Sequence, residues 1–251
     1  MFVHHLDPVF LHLGPFSIRY YGIAYAAGFL FAYFFLHRAM KNHSLALSPA
    51  LLDSLLLRLI IGVVAGARLG HILFYQPSYY FHHPLAIFFI WQGGLSFHGG
   101  LIGGVAALLL FCARTNISFL SLADVLVLPA SLALGFGRIA NFINGELYGI
   151  PTTLPWGVQF PGTSEFRHPT QLYEALKNFM IFFSLLALRK KSLPEGTLFA
   201  WFLILYGTLR FFIEFLKDLP SVLGPFTMGQ ILSLLMIPFG ILLLRKRSAS
   251  K

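Results

Sequence analysis

The chain has 251 residues, of which 57% are apolar and only 11% charged, less than half the charged share of an ordinary soluble domain, about a quarter. So few charges cannot clothe a soluble fold of this length, and the composition selects a membrane protein. The formal net charge of +9 raises nucleic acid as a partner, but the basic residues sit between apolar runs rather than on one stripe, and no nucleic-acid motif is present.

Met1 to Ser17 contain no Lys or Arg, so the basic start of a cleavable signal peptide is missing and the first apolar run is expected to stay as a helix. A bilayer core takes about 20 apolar residues per helix. On that measure seven spans are predicted: Ile18–His37, Pro49–Phe74, Phe97–Cys112, Phe119–Ile143, Pro169–Leu188, Gly196–Leu216 and Thr227–Leu244. The third is short, and Trp91-Gln92-Gly93-Gly94 before it suggests a broken or re-entrant approach. Pro129 interrupts the fourth. Cys112, the single cysteine, allows no internal disulfide and reads as a small apolar filler.

Lys and Arg in the connections set the orientation. One side collects Arg38, Lys41, Arg114, Arg189, Lys190, Lys191, Arg245, Lys246, Arg247 and Lys251; the other holds only Arg167 and Lys217. The expected fold is therefore an all-α integral membrane protein, a bundle of about seven transmembrane helices with its N-terminus outside and its C-terminus cytoplasmic. It reads as a single polytopic membrane domain over 1–251, with a short Pro/Gly-rich outer segment at about 144–168 of the kind that covers sites.

A charge at a helix centre costs roughly 2.5–3.5 kcal/mol on insertion scales, so intramembrane ionisable residues are functional candidates. With this topology Tyr20 and Tyr21, Arg68 and His71, His98, Arg138 and Asn141, His168, Gln171 and Glu174, and Tyr206, Arg210 and Glu214 all fall toward the outer leaflet. Tyr206, Arg210 and Glu214 share a helix face at four-residue spacing, and Arg138 and Asn141 do so at three. Two arginines at one depth form a phosphate clamp, because guanidinium matches phosphate oxygens bidentately. The bland alternative pairs Arg138 with Glu146 and Arg210 with Glu214 as glue between helices. Arg19, Arg58 and Lys177 read as structural. Gly99 and Gly103, Gly100 and Gly104, and Gly62, Gly66 and Gly70 have small-xxx-small spacing and read as helix-packing contacts. His98 follows the glycine-rich break, where a histidine suits proton transfer.

Gly137-Arg138-Ile139-Ala140-Asn141-Phe142-Ile143-Asn144-Gly145-Glu146-Leu147-Tyr148-Gly149 resembles the long signature of the prolipoprotein diacylglyceryl transferases. Ser96 to Gly100, Arg167 to Glu174, Tyr206-Gly207 through Arg210 and Glu214, Met228-Gly229-Gln230 and Tyr20-Tyr21-Gly22 resemble further blocks of that family, in order along nearly the whole chain. The resemblance implies a multi-pass protein of the bacterial cytoplasmic (inner) membrane. It implies transfer of the diacylglyceryl group of phosphatidylglycerol to the lipobox cysteine in the signal peptide of a prolipoprotein, with glycerol 1-phosphate released. It also implies the site: His98, Arg138 and Arg210 as catalytic, and Tyr21, Asn141, Glu146, Gly149, Tyr206 and Glu214 as substrate-binding. The outer segment is compact beside longer members, so peptide contacts made there are not carried over.

The difficult step is displacement at a glycerol carbon by sulfur, with a phosphate ester leaving. A thiolate is the better nucleophile, and His98 is the expected base. Arg138 and Arg210 would stabilise charge growing on the phosphate. No cofactor and no metal is expected, since no ligand cluster has metal spacing. A transporter would show a two-half repeat, which the sequence lacks. A scaffold would not gather Arg, His and Asn in one leaflet, and an intramembrane serine protease fits Ser96-Phe97-His98 poorly.

Overall fold

The computed structural model describes residues 1–14, 16–42, 45–191 and 193–248; Lys251 of the basic C-terminal run lies outside them. Among the described residues there are eight α-helices: α1 (Tyr20–Lys41), α2 (Pro49–Phe74), α3 (Pro77–His82), α4 (Phe97–Thr115), α5 (Phe119–Ile143), α6 (Thr170–Leu188), α7 (Thr197–Glu214) and α8 (Met228–Ser248). Six of these, α1, α2, α4, α5, α7 and α8, are long and apolar enough to cross a membrane. The other long helix, α6, has the length, but Gln171, Glu174, Lys177 and Asn178 lower its hydropathy. The chain is thus a helical, multi-pass membrane protein, and the outward Leu, Ile and Phe side chains of these helices suit a lipid solvent.

Short strands qualify the all-α expectation. β1 (Phe2–Val3) pairs with β4 (Val158–Gln159), β2 (Val9–Leu13) with β3 (Phe16–Arg19), and β5 (Ser221–Leu223) with β6 (Phe226–Thr227). Ile18 and Arg19 therefore end a hairpin, and the first helix begins at Tyr20 rather than Ile18. The apolar–polar alternation of Phe16-Ser17-Ile18-Arg19 has the period of a strand.

The chain divides into two compact units, Met1–Phe35 with Ala123–Lys251, and Leu36–Leu122. In the second, Leu36, Leu52, Leu55, Phe111 and Leu122 are fully buried. Here α2 and α4 meet through their glycines. A Cβ added at Gly66 would lie 2.8 Å from the Gly103 Cα, and one at Gly70 would lie 2.8 Å from the Gly99 Cα. No larger residue fits, and the small-xxx-small reading holds. The approach to α4 is broken, as expected, into turns at Pro84–Phe88 and Ile90–Gln92. Ser96 then caps the helix by accepting from the Gly99 N–H at 3.3 Å.

Arg68 holds that broken segment. Its guanidinium donates to the carbonyls of Ala86, Ile87 and Gly93 at 2.5, 2.9 and 2.6 Å, and to those of Phe89 and Gly94 at 3.4 and 3.1 Å. It also stands 5.0 Å from the centroid of the Tyr80 ring. Irregular backbone leaves carbonyls without helical donors, and one buried arginine supplies them.

In the first unit the Pro/Gly-rich segment at about 144–168 is folded rather than extended. The Met1 ammonium donates to the Pro155 carbonyl at 2.8 Å, and β1 runs parallel to β4 with Phe2 opposite Val158. His4 packs against Phe142 and Phe160, and Arg167 pairs with Asp218 at 2.7 Å. Deeper in the chain, Asp124 accepts from the Gly196 and Phe199 N–H groups at 2.7 Å each and so starts α7.

Candidate active site

The buried face of α6 carries Gln171, Glu174 and Asn178 at spacings of three and four, one stripe of a helix. Glu174 is wholly buried and gathers four cations. Its Oε1 lies 2.8 Å from Arg210 Nη1 and 2.6 Å from Lys217 Nζ; its Oε2 lies 2.9 Å from Lys177 Nζ and 3.6 Å from Arg138 Nε. One turn past Arg210 on α7, Glu214 takes Arg210 Nη2 at 3.2 Å and Lys217 Nζ at 3.6 Å, and Thr227 donates its hydroxyl to it at 3.1 Å. Burial lowers the Lys217 pKa from the ordinary lysine value, and the Glu174 carboxylate opposes that shift.

At formal charge the four cations exceed the two carboxylates by two. Buried ions remain charged only when paired, and here the pairing is incomplete in one sign. The side chains of Lys177, Glu174 and Glu214 are 1–2% exposed, whereas those of Arg138 and Arg210 keep 16% and 19%. The arginines are therefore the open cations of the group.

Beside them Asn141 makes a second centre. Its Nδ2 donates to the Tyr21 hydroxyl and, at 3.0 Å, to Glu146 Oε1. Its Oδ1 accepts from Arg138 Nη1 at 3.4 Å. Asn144 donates to the same Glu146 oxygen at 3.3 Å, and Gln171 donates to the Glu146 carbonyl at 2.6 Å. Arg138 does not pair with Glu146, the bland alternative; Glu146 belongs to Asn141, and Arg138 turns to Glu174. Arg210 does pair with Glu214, but Glu174 holds it as well.

The structure thus brings together Tyr21, Arg138, Asn141, Glu146, Arg210 and Glu214. The Tyr206 ring joins through Lys177, whose Nζ stands 3.8 Å from its centroid. Gly149 is buried in packing: its N–H donates to the His168 carbonyl at 2.9 Å, and a Cβ there would lie 2.7 Å from Thr170 Cγ2. It faces Lys217 across an antiparallel bridge and so helps hold that lysine. His98 belongs to the second unit. It is the second residue of α4, exposed, edge-on to Phe97 at 5.7 Å, with no ring hydrogen bond to a described residue. Arg68, grouped with the polar set by depth, is saturated by carbonyls. Glu174 was expected beside the site but not as its hub, Lys177 reads as structural from sequence, and Lys217 reads as a loop charge. Lys217 continues the Arg210–Glu214 face by three residues, the one signal that points to it.

The model of the family described as prolipoprotein diacylglyceryl transferase matches residues 8–245. The chain belongs to the prolipoprotein diacylglyceryl transferase family. Its relatives include the phosphatidylglycerol–prolipoprotein diacylglyceryl transferases of Geobacter sulfurreducens, 45% identical over 94% of both chains, and of Bordetella avium, 43% identical over 94% of this chain and 93% of the other. The one from Nitrosomonas europaea is 44% identical over 97% and 91%. In this member of the prolipoprotein diacylglyceryl transferase family the long signature divides by task. Arg138, Asn141 and Glu146 enter the polar network, and Gly149 seats the backbone behind it.

Proposed function

We propose that this chain transfers the diacylglyceryl group of phosphatidylglycerol to the lipobox cysteine of prolipoproteins in the bacterial inner membrane. The sulfur bonds to the glycerol carbon that bears the phosphate, the carbon–oxygen bond breaks, and glycerol 1-phosphate leaves with that electron pair. The observation that carries this reading is the positive excess around Glu174, with Arg138 and Arg210 still open to a ligand. A phosphate diester supplies the missing anion, and the fixed guanidinium groups stabilise the further charge it gains as it departs. Tyr21, Asn141 and Glu146 bind the glycerol head group. Glu214 and Glu174 orient Arg210, Tyr206 flanks Lys177, and Gly149 keeps Lys217 in place. His98 takes the proton from the thiol. The N-terminus lies outside and the C-terminus in the cytoplasm, which puts this chemistry in the outer leaflet.

The test is purified protein with phosphatidylglycerol and a lipobox peptide. The expected result is equal amounts of thioether-modified peptide and glycerol phosphate, and neither product when the peptide cysteine is replaced by serine. Glycerol phosphate released without peptide modification, or no release at all, overturns the reading.

A further inference from the structure

Asn178 is 1% exposed, and neither its Oδ1 nor its Nδ2 has a hydrogen-bond partner among the described residues. It stands on the same stripe of α6 as Gln171 and Glu174, four residues beyond Glu174. At the helical rise of 1.5 Å per residue that is about 6 Å deeper into the membrane. Three residues to the other side of Glu174, the buried Gln171 also has an unpartnered oxygen, Oε1. The charged hub is thus flanked along one stripe by two amides with uncommitted polar atoms. A buried carboxamide left without a partner is strongly disfavoured, and nearly all such groups in folded proteins are partnered.

We propose that Asn178 is a specificity residue for the lipid donor, its Nδ2 donating a hydrogen bond to an ester carbonyl of the diacylglyceryl group. This rests on the phosphate lying at Arg138 and Arg210. A glycerophospholipid then projects its head-group hydroxyls toward Gln171, and its glycerol backbone, with the two acyl esters, hangs below the phosphate at the depth of Asn178. An ester carbonyl is a good acceptor; the ether oxygen of a dialkyl lipid is a poorer one and lacks the outward carbonyl. The stripe therefore reads head group, phosphate and ester in turn, and selects diacyl over dialkyl donors.

The experiment compares dioleoyl phosphatidylglycerol with its dialkyl ether analogue, using full-length enzyme and a lipobox peptide. The wild type is expected to show a kcat/KM roughly 3- to 10-fold higher for the diester, the range of one neutral hydrogen bond. Asn178→Leu, close in shape, should lower the diester value to that of the ether and leave the ether value unchanged. Its melting temperature should hold or rise, since an unpartnered polar group has been replaced by an apolar one. Equal use of both lipids by the wild type overturns the proposal, even if the variant does not fold. A uniform loss on both lipids in Asn178→Leu also overturns it, and marks Asn178 as a structural or water-binding residue. Arg138→Lys should lower both lipids alike. If it lowers neither, the phosphate placement fails and the depth argument fails with it, although glycerol phosphate release would still attest the reaction.

Discussion

Glu174 balances four cations at once. Its replacement by Gln leaves Arg138, Lys177, Arg210 and Lys217 repelling one another in a buried space. Breaking a buried pair typically costs 3–5 kcal/mol, so Glu174→Gln should lose about that much stability, read from unfolding in detergent, and Glu174→Asp should recover part of it. A loss under about 1 kcal/mol would mean that solvent screens the hub as it does surface pairs. Arg138 differs in kind, because its ion pair with Glu174, at 3.6 Å, is the longest of the four. Lys at that position keeps the charge but lacks the fork that reaches Glu174 and Asn141 together. Turnover of Arg138→Lys should fall about 10²-fold, the scale of one lost donor to a developing anion, with little change in melting temperature. Near-normal turnover would exclude a bidentate grip. His98 makes a separate prediction. If it accepts the thiol proton, its loss slows the chemical step and not the capture of the lipid. His98→Gln should lower turnover about 10²-fold or more and leave phospholipid binding nearly unchanged. A mutant that keeps its turnover assigns the proton to another acceptor.

At the level of elements, α2 and α4 form the tightest test of packing. A Cβ at Gly103 would lie 2.9 Å from the Gly66 Cα, which cannot yield as a side-chain tip does. Gly103→Val should destabilise the protein by about 1–3 kcal/mol or more, the range for overpacking, while Gly22→Ala, where a Cβ meets nothing within 4 Å, should not. Thermal unfolding of both variants decides it; equal melting points would mean that the helices slide apart at no cost. These contacts were legible from spacing alone, because glycines repeated every four residues fall on one helix face. The start of α1 was less legible. Hydropathy does not distinguish the apolar residues of a hairpin from those of a span, so the first span reads from Ile18, two residues before α1 begins at Tyr20. The course of residues 84–94 was legible only as a break; that Arg68 closes it depends on contacts 18 to 26 residues away.

For the whole molecule, the charge asymmetry of the connections predicts a cytoplasmic C-terminus. A reporter fused after Lys251 should be active only in its cytoplasmic form, and an externally active fusion would remove the shared-leaflet argument. The long helices were readable because membrane crossing demands continuous apolar length, which the sequence displays directly. The polar network was readable in part. Arg138, Asn141, Arg210 and Glu214 announce themselves by rarity and helical spacing. Lys177 and Lys217 do not: a lone lysine within a span reads as a structural pair, and one just past a span end has an ordinary explanation in snorkelling. Their convergence on one carboxylate is a property of three-dimensional assembly, and no local pattern records it.

The surplus of positive charge around Glu174 also bears on the end of the catalytic cycle. On the proposed reading the donor arrives as a phosphate diester with a single negative charge. What departs is a monoester, which carries about −1.5 to −2 at pH 7. A field that attracts the first holds the second more firmly, and the leaving group becomes a natural competitor for its own birthplace. Free glycerol phosphate should therefore inhibit with an affinity that weakens as salt is raised. The enzyme's pace is then governed as much by letting go of a small soluble anion as by making the thioether.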